Sequence, residues 1–96
     1  MNDKLSKDKI LPAIKSNLDS LDSIVGDLRA FEKSTKPNEV FTFFMAKGTL
    51  DATLKETKEL VSRCSEEDLK IDENTLDRYA TYLLVARTYE HRRPSQ

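Results

Sequence analysis

Leu11, Ile14, Leu18, Leu21, Val25 and Leu28 follow one another at alternating spacings of three and four residues. That is the period of a helix burying one stripe against other helices. A strand turns successive side chains to opposite faces, so on a strand this set would scatter over both. Ile24 and Phe31 flank the stripe and widen it, while Lys15, Ser16, Asp19, Ser20, Asp22, Ser23 and Asp27 make the other side polar. Pro12 has no N–H and crowds the carbonyl four residues before it. The first helix is therefore expected to start, or to kink, near residues 9–11 and to run to about residue 31, giving a helix over about 10–31. Gly26 lies on the polar side and weakens this helix by about 1 kcal/mol relative to alanine without ending it.

Residues 32–38 are polar, and Pro37 turns Lys36 away from helical angles. This segment reads as a loop, with Asn38 as N-cap of the next helix and Glu39 near the positive end of its dipole. Val40, Phe43, Lys47, Leu50, Leu54, Thr57, Val61 and Cys64 then repeat the same alternation, in one phase across Gly48. The unbroken phase predicts a single helix over about 39–64. Two alternatives stand beside it: a break at Lys47–Gly48 with Thr49 capping a further segment, and a strand over the aromatic-rich stretch from Val40 to Met45, for which the chain offers no partner strand.

Residues 65–71 read as a turn or one short helical turn, and Asp72 offers the next cap. A third helix follows over about 73–90, with Leu76, Tyr79, Ala80, Leu83 and Ala86 as its main stripe. Three amphipathic helices joined by short connections specify an all-α fold, a small antiparallel three-helix bundle forming one domain over residues 1–96. The count becomes four if the second helix breaks at Gly48.

Charge changes the functional picture more than the structural one. Sixteen basic and seventeen acidic residues leave a net charge of −1, so the overall positive field of a dedicated nucleic-acid binder is missing. No apolar run approaches the roughly 18 residues of a membrane span, and the N-terminal segment lacks the apolar core of a secretory signal. An intracellular protein, cytoplasmic or nuclear, is the expectation. The single cysteine, Cys64, excludes an intrachain disulfide and falls on the second stripe, where a small thiol packs rather than reacts.

Chemistry-bearing groupings are few. The only histidine, His91, lies in the tail, and Asp68, Asp72 and Glu73 lack the alternation, central glycine and terminal glutamate of a calcium loop. No glycine-rich phosphate loop occurs. The chain therefore reads as non-enzymatic, with no catalytic residue, metal or cofactor expected.

Apolar residues outside the stripes point elsewhere. Tyr82, Val85 and Tyr89 form a second ridge on the third helix, and Phe41, Phe44 and Met45 lie off the stripe of the second. Two readings stand: either a short N-terminal helix carrying Leu5 and Ile10 covers them or the tyrosines simply lie on the surface with their hydroxyls in water, or they are the contact surface for a protein partner, helix or groove, or for a second copy of the chain. The sole positive cluster, Arg87, His91, Arg92 and Arg93, complements the negative end of the third helix dipole, or makes a local contact to phosphate or an acidic partner. The leading expectation is a protein-interaction module, an adaptor or small subunit of a larger assembly. A small enzyme inhibitor and a nucleic-acid-associated cofactor using the basic tail are the alternatives.

Overall fold

Three long helices account for nearly all of residues 6–90, the part of the chain that the computed structural model describes. They are α1 (Lys7–Phe31), α2 (Pro37–Glu66) and α3 (Glu73–Glu90). α1 and α2 form an antiparallel helical hairpin with by far the largest interface in the molecule, and α3 packs back along it through two smaller ones. The result is elongated and flat, 46 × 32 × 19 Å, with a radius of gyration of 15.1 Å, against the roughly 12–13 Å of a compact domain of this length. The all-α three-helix reading therefore holds, and Val40 to Met45 are helical rather than extended.

α1 begins earlier than proline chemistry suggests, at Lys7, and continues through Pro12 without a break. Barely more than one turn precedes the ring, so the lost backbone bond lies near a helix end where few such bonds exist. The gain is Ile10, which the extra turn carries into the core with no exposed surface. Full burial of such a side chain contributes about 1.5–3 kcal/mol, comparable to the proline penalty of about 3 kcal/mol. The buried stripe of α1 is accordingly Ile10, Ile14, Leu18, Leu21, Val25 and Leu28, with Leu11 at its edge.

α2 is a single helix, unbroken at Gly48, so the four-helix alternative falls away. It starts one residue before the expected cap: Lys36 is the extended N-cap residue and Pro37 the first helical one, leaving Asn38 inside the helix. Proline suits that first position because its fixed φ is already helical and its missing N–H would have found no intrahelical partner. Ser34 braces the entry, its hydroxyl accepting from the Lys36 N–H at 3.1 Å and donating to the Glu39 carboxylate. Thr57, fully buried, donates to the Thr53 carbonyl at 2.7 Å and accepts from the Asn17 amide of α1 at 3.2 Å. The same amide donates to Glu56 at 2.9 Å, and this polar clasp fixes the register of the hairpin.

The end of α2 is a left-handed cap. Asp68 has φ 58°, the Leu69 N–H donates to the Cys64 carbonyl at 2.8 Å and the Asp68 N–H to the Ser65 carbonyl at 3.3 Å. These are the two bonds of a Schellman motif, and Leu69 supplies its apolar contact by packing on the core. Glycine is the residue this backbone prefers, and aspartate tolerates it at a cost. Asp68→Gly is expected to raise the unfolding free energy by about 0.5–1 kcal/mol. A shift of the urea midpoint to higher concentration at unchanged slope is the confirming result; a lower midpoint contradicts the cap.

Asp72 caps α3. Its carboxylate accepts from the Thr75 N–H at 3.2 Å and the Thr75 hydroxyl at 2.6 Å, and these bonds, the hydroxyl first, hold the carboxyl below its ordinary range.

Candidate functional site

The rotation of α3 about its own axis decides which apolar residues remain outside, and it differs from the leucine pattern. The residues that α3 buries are Thr75, Tyr82 and Tyr89, with Tyr79, Val85 and Ala86 partly buried against the core. Leu76 and Leu83, expected in the main stripe, are 42% and 40% exposed, and Leu84 is 66% exposed. The helix is thus turned by about one residue, roughly 100°.

Polar reach explains the turn. The Arg78 guanidinium donates to Asp19 and to Asp22 of α1, both at 3.1 Å. One turn beyond Val85, the Tyr89 hydroxyl donates to the Glu32 carboxylate at 2.6 Å. Tyr89 thus reaches across to the end of α1 and finds an acceptor there, which a leucine at the same place could not use. The Tyr89 ring also meets the Phe43 ring edge-on, with centroids 6.0 Å apart at 66°.

Tyr82 and Tyr89 therefore leave the candidate contact surface, and Val85 between them is partly buried against the core. Phe41, Phe44 and Met45 remain on it. They are 65%, 49% and 57% exposed and occupy little more than one turn of α2. Phe44 lies edge-on to the fully buried Phe43 at 6.2 Å and 78°, so a chain of rings runs from the exposed patch through the core to Tyr89. Beside Tyr89, α2 and α3 border an open groove lined by Leu50, Leu83, Ala86 and the charged Lys47, Asp51, Arg87 and Glu90. The surface signal that sequence reasoning missed is the leucine set of α3, hidden because the same spacing of three and four describes both ridges.

Arg87 is exposed in the last turn of α3; His91, Arg92 and Arg93 lie outside the described residues, as does Leu5 of the covering helix considered above. Cys64 is buried, and that burial pushes its thiol above the usual range despite the nearby Arg63. A thiol held protonated in this way is a weak nucleophile, in keeping with a packing role. Among the described residues no group of three or more His, Cys, Asp or Glu side chains is placed to hold a metal ion, and no helix is long and apolar enough to cross a membrane. The chain matches no family model, no curated protein and no solved structure.

Proposed function

We propose that this protein is a non-enzymatic interaction module, an adaptor or small subunit of a larger assembly, that docks through the exposed apolar surfaces of α2 and α3. The observation that supports this reading most strongly is the cluster of Phe41, Phe44 and Met45, each about half or more exposed within little more than one turn. Scattered surface leucines are common on monomers, but phenylalanine and methionine gathered on one helix face match the composition of interface centres. Leu76, Leu83 and Leu84 extend the apolar surface onto α3.

The test is a pair of charge substitutions, Phe44→Asp and Leu84→Asp, in affinity capture from cells expressing the tagged chain. Loss of specific protein partners in either variant, with the thermal midpoint of the wild type retained, is the expected outcome. Unchanged capture in both variants rejects the reading, and a collapse of the midpoint shows that these residues serve folding instead.

A further inference from the structure

The exposed face of α2 carries a regular pattern of its own. Phe41, Met45, Gly48 and Ala52 recur at spacings of four, three and four, all on the solvent side, and so form a straight ridge opposite the buried stripe. Its first half projects large side chains and its second half has almost none. Gly48 is the unusual member. It sits in the interior of α2, and a Cβ built there would meet nothing within 4 Å. Packing within the chain therefore does not require glycine, and the helix is weaker by about 1 kcal/mol than with alanine at an exposed site.

We infer that this ridge is the interface of a homodimer in which the α2 helices of two copies pack antiparallel about a twofold axis near Phe44 and Met45. The inference rests on the reading of the α2 face as an interaction surface, and names a second copy of this chain as its occupant. Phe41 and Gly48 lie two turns apart, on either side of Phe44 and Met45. An antiparallel pairing centred between them brings Phe41 of each copy onto the notch at Gly48 of the partner subunit, and Phe44 beside Met45 of the partner subunit. A twofold interface must be complementary to itself, and a large knob and an empty notch placed symmetrically about one point meet that condition.

Charge supports the same register. The stretch from Val40 to Ala46 carries no charged residue, so the centre of the interface is free of like-charge repulsion. Further out, the pairing sets Asp51 of one copy over the first turn of the partner's α2. There a carboxylate meets the positive end of a helix dipole. Asp51 is exposed and has no ion-pair partner among the described residues of its own chain. A net charge of −1 per copy opposes association negligibly.

Area sets the strength. The three large side chains leave on the order of 300 Å² per copy for a partner to cover, which places the whole contact at or below the roughly 1,200 Å² that begins the range of specific interfaces. The dimer is accordingly weak and depends on concentration. The α3 leucines lie on another element and stay available to a different protein.

Sedimentation equilibrium from low to high micromolar protein gives the first test. The mass of the wild-type chain is expected to rise from 11.0 kDa toward twice that value, while Gly48→Leu stays monomeric and melts no lower than wild type in dilute solution. Register is read with a short bis-maleimide: Met45→Cys is expected to cross-link between copies and Ala52→Cys is not, with the unsubstituted chain and its buried Cys64 as control. A wild-type chain that remains monomeric, a Gly48→Leu variant that dimerises as well as wild type, or equal cross-linking at both positions overturns the proposal. A monomeric wild type whose partner capture still fails in Phe44→Asp removes the homodimer and leaves the interaction module standing.

Discussion

Tyr82→Ala is expected to lower the unfolding free energy by about 3 kcal/mol, whereas Leu84→Ala, two residues further along the same helix, changes it by less than about 1 kcal/mol. This order inverts the usual ranking, in which a leucine of an amphipathic helix matters more than a tyrosine with a hydroxyl to place. The reason is the rotation of α3. Tyr82 is 8% exposed and belongs to the core, while Leu84 stands mostly in water. Removing the tyrosine ring deletes a core side chain, and the cavity left behind adds to the lost transfer free energy. Removing the Leu84 side chain deletes surface that was never covered. Urea unfolding followed by circular dichroism reads both values, and a larger loss for Leu84 than for Tyr82 would contradict the inward placement of the tyrosine.

That same rotation marks the boundary of what the chain reveals before folding. The stripes of α1 and α2 are legible because each helix has one dominant apolar face: Ile14, Leu18, Leu21, Val25 and Leu28 on one side and Phe43, Leu50, Leu54, Thr57 and Cys64 on the other are buried as expected, whereas Leu11, Val40, Lys47 and Val61 are only partly buried and Ile10, Ala46 and Leu60 take core places beside them. α3 has two candidate faces with the same spacing, and periodicity carries no information about which of two equal ridges turns inward. The choice is made by contacts between residues distant in the chain, Arg78 with Asp19 and Asp22 and Tyr89 with Glu32. Helix ends show a related difficulty. Asp68 holds a left-handed position that glycine would have announced, and Pro12 is accepted inside α1 because burial of Ile10 offsets it.

The candidate surface divides along this line. Phe41, Phe44 and Met45 are legible as spare residues because the α2 stripe is complete without them, and they are indeed exposed. Tyr82 and Tyr89 look equally spare only while the leucines are assumed to face inward. Once α3 is turned, the tyrosines become core and Leu76 and Leu83 become surface beside Leu84. The apolar area left outside is thus similar to the expectation in kind, and different in which residues of α3 supply it.

Phe43→Ala is expected to be the most damaging single truncation in the chain, lowering the unfolding free energy by about 3–5 kcal/mol. A domain of this length has on the order of 5–14 kcal/mol in total, so the variant loses a large share of its reserve. Phe43 is fully buried, with its ring edge-on to Tyr89 in the last turn of α3 at 6.0 Å. Ring pairs of this geometry contribute about 0.5–1.5 kcal/mol beyond their burial, and a double-mutant cycle with Tyr89→Ala should recover a coupling of that size. The loss should also be uneven. α3 is held by much smaller interfaces than the α1–α2 hairpin, so removing the ring lets α3 open locally before the hairpin unfolds. Hydrogen exchange is expected to accelerate first at the amides of residues 82–90, with those of Leu18, Leu21, Leu54 and Thr57 still protected. Equal acceleration along all three helices would mean that Phe43 supports the hairpin as a whole and that α3 has no separate opening of its own.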